Sequence, residues 1–423
     1  MTHENQKPDT APPVRKRPQH SPQTYFSVVG NCLQVHGQPL TALAERAGDR
    51  AFYAYDSEVM TRRVQELRAL LPADIELHYA IKANPMAEVV AHMAGLTDGL
   101  DVASAAELTT ALATGTPPTE ISFAGPGKSA TDLRDAVDAG VIIILESSTE
   151  MHRVAALAAG TGRRPTVAIR VNPDFELKAS GMKMGGGPKP FGIDAEQVPA
   201  VMAELATLPL DFVGLHIFSG SQNLRPEALI EAHDKTVELA LRLAAAAPYP
   251  IRWLNIGGGL GVPYFPGEQP LELAPVMANL QGLLGQIKTG LPQARVVMEL
   301  GRYLVAEAGL YVCRVTDKKE SRGQLFLITN GGLHHHLAAS GNFGQVVRKN
   351  YPVCIGNRVT GEVHENVTIV GPLCTPLDLL AERMELPAAE IGDLVVLFQS
   401  GAYGYTASPH HFLSHPPPLE IFA

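Results

Sequence analysis

The chain has 423 residues, 45% of them hydrophobic and 18% charged, with a formal net charge of −9. That length accommodates two domains with a large core, and the net negative charge argues against nucleic acid or an anionic membrane surface as the main partner. No stretch approaches the roughly 18 uninterrupted apolar residues of a membrane span, and the N-terminus lacks the apolar core of a secretory signal.

Residues 1 to about 24 are polar and proline-dotted, with a basic group at Arg15-Lys16-Arg17. They read as a disordered, solvated tail. Residues 25–50 read as strand and turn, with strands over 25–28 and 32–35. They are expected to join a β domain from the far end of the chain. From residue 51 to 303 short apolar runs alternate with helical stretches. The runs are 77–82, 99–104, 121–125, 141–147, 166–172, 212–218, 253–259 and 296–302. Between them, 107–114, 130–139, 195–208 and 227–246 carry apolar residues at helical spacing. Strand–helix alternation implies parallel βα units, and eight such units close a (β/α)8 TIM barrel, an α/β fold. An open doubly wound sheet would place its glycine-rich loop after the first strand; here the glycines follow the seventh. The segment 178–190 is rich in glycine and reads as a mobile loop at the barrel mouth. After residue 303 the texture changes to strands at 304–316, 324–329, 358–363, 366–370 and 393–398. This 304–423 region reads as a mostly β domain.

Barrel enzymes build their sites where strands end at the carboxyl face. The run His78-Tyr79-Ala80-Ile81-Lys82-Ala83-Asn84-Pro85 delivers one lysine to that edge. Partly desolvated, such a lysine is expected to have a lowered pKa and to form a Schiff base with an aldehyde; the bland alternative is a strand-end lysine reaching solvent. Asp101 falls in the second strand, Arg170 in the fifth and His216 in the sixth. Gly257-Gly258-Gly259 ends the seventh, and Glu299 with Arg302 ends the eighth. The glycines suit a phosphate cradle, since backbone N–H groups can approach an anion where no Cβ intervenes, and Arg302 adds a cationic donor. Glu299 reads either as half of a buried salt bridge to Arg170 or Arg302, or as the partner of a protonated pyridine nitrogen. His216 reads either as a core histidine or, in this company, as a residue stacked on a flat cofactor ring.

Two motifs lie further on. Gly371-Pro372-Leu373-Cys374-Thr375-Pro376-Leu377-Asp378 puts a thiol and a carboxylate on one turn, and Gly401-Ala402-Tyr403-Gly404-Tyr405 puts a phenol in a glycine-flanked loop. Cys374 alone would pass for a small buried hydrophobe. The four cysteines, Cys32, Cys313, Cys354 and Cys374, show no CxxC spacing. That points away from zinc and disulfides and towards a reduced, cytoplasmic setting. His334-His335-His336 invites a metal reading, but adjacent histidines point different ways and no HExxH spacing exists; no metal is expected.

Taken in order, the lysine run, the glycine turn, Glu299-Leu300-Gly301-Arg302, Gly371-Pro372-Leu373-Cys374 and Gly401-Ala402-Tyr403 form a set. The set resembles that of the fold-type III pyridoxal-phosphate decarboxylases, the family of diaminopimelate and ornithine decarboxylases, over about residues 25–420. The resemblance implies an alanine-racemase-like barrel with a C-terminal β domain, pyridoxal 5′-phosphate as cofactor, α-decarboxylation with release of CO2, and a homodimer with shared sites. By resemblance, Lys82 would carry the cofactor, His216 would stack on its ring and Glu299 would meet the ring nitrogen. Ser219, Gly258, Gly259, Arg302 and Tyr403 would hold the phosphate, with Gly301 beside them. Asp101 and Arg170 would form the next layer. Cys374 would come from the partner subunit and assist protonation, and Arg302, Thr375 and Tyr403 would touch substrate.

Four departures bear on the substrate. Thr375 stands where family members that read a distal amine carry an acid. The stretch 330–341 lacks the arginines that read a far carboxylate in diaminopimelate enzymes. Leu300 replaces a proline, and Phe218 interrupts a common His-Ile-Gly-Ser pattern. These features resemble a biosynthetic-cluster branch that includes decarboxylases of carrier-protein-tethered glutamate and members encoded with exosortase systems. The expected substrate is therefore an amino acid or a carrier-bound aminoacyl group, with meso-diaminopimelate decarboxylation as the alternative. An amino-acid racemase, which would place an arginine at the ring nitrogen, and a non-catalytic cofactor-binding protein are alternatives of other classes.

Overall fold

The computed structural model of the chain describes residues 18–176, 182–183 and 185–423. All eight expected barrel runs are strands: Ile75–Ala80, Gly99–Val102, Ile121–Phe123, Ile142–Leu145, Thr166–Asn172, Asp211–Ile217, Trp253–Asn255 and Arg295–Leu300. They belong to a nine-stranded parallel sheet, the ninth member being the two-residue strand Ile193–Asp194 alongside the fifth. The barrel closes where Leu300 pairs with Tyr79 and where Ile143 pairs with Val167. Side chains alternate between its two faces. Ile142, Ile144, Ala168, Val213, Trp253 and Val297 form an apolar cluster of their own inside the barrel, while Ile143, Leu145, Val167 and Ile169 join the large core under the helices. The seventh strand stops at Asn255, short of its expected end, so the glycine triplet lies in a loop above it.

The helices end where their caps dictate. Ser129 and Asp132 form a reciprocal capping box at the start of Ala130–Ala139, and Gly140 closes that helix at φ 76°. The Ser104 hydroxyl caps Ala105–Ala113 by accepting from the Glu107 N–H. The long helix Pro226–Ala244 backs the loop above the seventh strand and packs on Leu273–Gly290.

The second domain is an eight-stranded sheet built on the long strand Gly309–Ser321. That strand begins five residues later than expected, because Arg302–Val305 and Ala306–Ala308 are helical. It pairs with Gln324–Thr329, Leu394–Leu397 and Phe52–Tyr55, and Leu419–Phe422 lies beside the last of these. Phe52–Tyr55 thus lies in the β sheet, although the sequence reading counted it with the barrel. The expected strand at 358–363 is absent; those residues are turn and irregular backbone, with the Thr360 N–H bonded to Asn31 Oδ1 (2.7 Å). Residues 25–50 meet the β domain through Leu33 N–H to Gly356 O (2.8 Å) but form their own three-stranded sheet. An unexpected helix, Leu40–Ala47, follows it.

Residues 18–24, assigned to the tail from sequence, are seated on the body of the protein. The Ser21 hydroxyl donates to Glu268 O (2.7 Å), and His20 Nε2 meets Asn350 O (2.8 Å). The rest of the expected tail lies outside the described residues, as does part of the 178–190 loop. Met182–Lys183 in that loop pair with Gly220–Ser221.

Candidate active site

Lys82 sits beyond its strand rather than at the end of it. The strand stops at Ala80, and Ile81–Ala83 form a single 3-10 turn. Pro85 disfavours helical geometry at the preceding residue, and Asn84 is extended at φ −154°, ψ 102°, so the turn goes no further. Ile81 and Ala83 are buried while Lys82 faces a cavity. Three hydrogen bonds fix the turn: Tyr79 OH to Asn84 O (2.9 Å), Asn84 Nδ2 to Gly401 O (3.1 Å) and Tyr403 N–H to Ala83 O (2.9 Å). Two of the three come from the β-domain loop.

The cavity holds about 360 Å3, and Lys82, Asp101, Arg170, His216, Phe218 and Glu299 converge on it. His216 Nε2 lies 3.1 Å from Glu299 Oε2, within ion-pair range but off hydrogen-bond alignment. Asn255 Nδ2 donates to the same oxygen (3.0 Å), and Asn255 Oδ1 accepts from the Gly257 N–H (2.7 Å). Glu299 is thereby linked to the glycine turn. Neither Arg170 nor Arg302 pairs with Glu299; the partner is His216. Burial alone would raise the Glu299 pKa, but His216, Lys82 and Arg170 outweigh it and hold the group well below the ordinary carboxylate range. Asp101 goes the other way. Burial, and then the Glu299 charge, push its pKa well up, against a hydrogen bond from the Ser122 hydroxyl. The site thus favours the charged form of one carboxylate and disfavours that of its neighbour.

The expected lowering of the Lys82 pKa is not found. Lys82 is open to the cavity but walled by protein elsewhere. Burial pulls its pKa down, yet Glu299, Tyr403 and Asp101 raise it by more, so the net shift is upward.

Above the seventh strand, Gly257 and Gly259 adopt φ +73° and +88°. A Cβ on Gly258 would run into Glu299 O. Only glycine fits this loop. It borders a small cavity of about 50 Å3 lined by Lys82, Gly259, Gly301, Arg302 and Tyr403. Arg302 Nη1 donates to Tyr264 OH (3.2 Å), and its guanidinium carbon lies 4.6 Å from the centre of the Tyr403 ring. Ser219 is not among the residues lining this cavity; Ser221 and Gln222 are.

The family model for the pyridoxal-dependent decarboxylases, pyridoxal-binding domain, matches residues 57–306. The chain is 38% identical over 388 residues to the L-glutamyl-[BtrI acyl-carrier protein] decarboxylase of Niallia circulans, covering 90% of each chain. It is 31% identical to the diaminopimelate decarboxylase of Aquifex aeolicus, covering 90% of this chain and 88% of that one. The crystal structure of diaminopimelate decarboxylase from Helicobacter pylori with L-lysine superposes with a TM-score of 0.79 at 25% identity, covering 90% of this chain and 94% of that one.

The chain belongs to the pyridoxal-dependent decarboxylases. It is a carboxy-lyase, and its cofactor is pyridoxal phosphate. The residues present fit that group. A lysine faces the cavity, an anion-sized recess with an arginine adjoins it, and a carboxylate held in its charged form lies between them. The Asp101 Oδ2 and both ring nitrogens of His216 are buried without hydrogen-bond partners.

Other expected site residues stand apart. Cys374 is an exposed free thiol on the turn between His364–Val370 and Leu379–Pro387. Neither it nor Thr375 lines the Lys82 cavity of its own chain. Asp378 organises that turn by accepting N–H bonds from Leu333 (2.6 Å) and Leu373 (2.8 Å). Arg170 does line the Lys82 cavity, anchored there by Glu146 (2.8 Å), which also accepts from Gly125 N–H and Gly192 N–H.

The decarboxylase has a buried lysine that sequence reasoning missed. Lys128 reaches Gly125 O (2.8 Å), Ile144 O (2.8 Å) and Glu150 (3.0 Å), and burial lowers its pKa. Unlike Lys82, it is separated from its apolar run by the turn Gly125-Pro126-Gly127, and its ammonium is spent on protein oxygens. The histidine triplet is structural. His335 meets Pro416 O and Tyr311 OH, and His336 meets Ser400 Oγ. Among the described residues, only Glu76, His78 and Glu120 have metal-ligand spacing, and Arg295 binds both carboxylates. Among the same residues, no helix is long and apolar enough to cross a membrane.

Proposed function

We propose that the decarboxylase acts on an aminoacyl group, a glutamyl unit above all, tethered to a carrier protein. The observation that carries this is Thr375, a neutral residue on the Cys374 turn where amine-reading relatives place an acid. The 38% identity to a decarboxylase named for a carrier-bound glutamyl substrate supports it. A cytoplasmic setting belongs to the same reading, in keeping with four free cysteines.

Each residue has a role in this reading. Lys82 would hold the cofactor until the substrate amine takes its place. Gly258, Gly259, Gly301, Arg302 and Tyr403 bind the phosphate, with Ser219 at the edge of the loop. His216 lies against the ring. Glu299, held ionised, keeps a proton on the ring nitrogen. Asp101, whose burial disfavours its charged form, sits near Lys82, and Arg170, fixed by Glu146, positions the wall. When bound, pyridoxal phosphate supplies the electron-accepting ring that takes the pair left as CO2 departs. Lys82 or Cys374 of the partner subunit returns a proton to the substrate α-carbon.

The reading requires a homodimer. Cys374 and the exposed Leu377 on the same turn lie outside their own chain's cavity, which suits delivery to a second copy. Glu299 opposes a racemase, and the complete β domain with its Tyr403 loop opposes a non-catalytic carrier of the cofactor. The test is CO2 release from cofactor-loaded protein. Glutamyl-carrier protein is expected to turn over, with free diaminopimelate, ornithine, lysine, arginine and glutamate silent. Turnover of free diaminopimelate at a comparable rate would replace this reading with the lysine-forming one.

A further inference from the structure

A second, larger cavity of about 500 Å3 lies on the far side of Arg302 and Tyr403, which with Gln222 it shares with the phosphate recess. That recess in turn shares Lys82, Phe218 and Glu299 with the main cavity. The outer chamber therefore adjoins the recess, and the recess adjoins the main cavity at Lys82. Its outer chamber is walled by the rings of Tyr264, Phe265 and Tyr351, packed with centroids 4.9–6.1 Å apart. Ala338 and Phe343 complete the wall.

The polar groups of this chamber are already committed. Glu268 accepts from the Tyr264 and Phe265 N–H groups (2.9 and 3.0 Å). Gln222 is bonded on both sides to Val262, and Gln345 bonds Ala338 O and the Lys349 N–H. Arg302 is held by Tyr264. Glu268, a carboxylate of this lining, already holds two N–H groups through Oε2, so a distal ammonium would have to share it. At the exposed edge the character changes. Arg225 is solvent-exposed there, and the exposed Lys349 places its ammonium 5.5 Å from the Phe265 ring centre. The chamber suits an uncharged chain, and its edge suits an anion.

We infer that this chamber is the channel for the phosphopantetheine arm of the carrier: the thioester-linked chain lies against Tyr264, Phe265 and Tyr351, and its phosphodiester meets Arg225 and Lys349. The inference rests on the tethered-substrate reading and specifies how that substrate is held.

The test compares two substrates on the cofactor-loaded enzyme: glutamyl-carrier protein, and the glutamyl S-methyl thioester, which has no arm. Arg225→Glu, at an exposed position, is expected to lower kcat/KM for the carrier-bound substrate about tenfold, through KM. Ala338→Trp, which fills the chamber, is expected to do at least as much. Both variants are expected to keep the S-methyl thioester within about threefold of the parent rate and the cofactor absorbance unchanged. Equal losses on the two substrates, or no loss on the carrier-bound one, would overturn the channel while leaving the tethered reading standing. A parent enzyme silent on the carrier-bound substrate would overturn both.

Discussion

Gly259→Ala tests the phosphate cradle. Gly259 has φ +88°, and an added Cβ would lie 2.7 Å from Gly220 O, a backbone atom that cannot rotate away. The positive φ costs about 1–2 kcal/mol for an L side chain. The overlap costs about 1–3 kcal/mol more unless the loop shifts by a few tenths of an ångström. A shift moves the N–H groups off a bound phosphate, and each charge-assisted bond lost is worth about 1.5–3 kcal/mol. One lost bond raises the dissociation constant for pyridoxal phosphate about 10- to 150-fold. The assay titrates apoprotein with pyridoxal phosphate and, separately, with pyridoxal, followed by absorbance. Only the phosphorylated form should lose affinity. Gly285→Ala is the control: a Cβ there meets nothing, and the residue lies within the helix Leu273–Gly290. An unchanged constant for pyridoxal phosphate, or equal losses for both compounds, would refute the assignment of this loop to the phosphate.

Glu299→Gln should retain cofactor but slow CO2 release by about 100-fold, a loss of roughly 3 kcal/mol of charge stabilisation; an unchanged kcat would remove Glu299 from the chemistry. Acid should destabilise the fold through the histidine triplet. Burial lowers His335 from 6.5 to about 4 and His336 from 6.5 to about 3. The unfolded chain therefore binds more protons as pH falls below 6.5, and stability drops through that window. Melting temperatures between pH 7 and pH 4 check this, and His335→Gln should flatten the dependence; a parent protein with no slope would contradict it. Finally, a mixture of Lys82→Ala and Cys374→Ala chains, each inactive alone, should recover about a quarter of parental activity if sites are shared across a dimer. No recovery after verified subunit exchange would place the proton donor within one chain.

The barrel was legible because each strand is a short apolar run fenced by turn residues, a signal local in sequence. So were Lys82, Asp101, His216 and Glu299, polar residues at or near the ends of such runs. What escaped depends on distant partners. Phe52–Tyr55 is as apolar as a barrel strand, and only its pairing with Gly309–Ser321, some 250 residues later, assigns it to the other sheet. The 358–363 run has strand composition but is bound edgewise by Asn31 instead of by a ladder. Lys128 follows a glycine-proline turn, and the three oxygens that silence it come from a loop, a strand and a helix. The upward shift at Lys82 was equally invisible, because it is set by Glu299, 217 positions away.

The hydrogen bonds from the 401–403 loop to the Lys82 turn bear on how the protein comes to be made. The barrel's own strands are all synthesised by residue 300, yet the lysine turn still lacks two of its three tethers at that point. A nascent barrel on the ribosome would thus hold its lysine in an unfinished setting until another hundred residues had emerged. Chemistry with a reactive aldehyde would, in this way, await the arrival of the 401–403 loop.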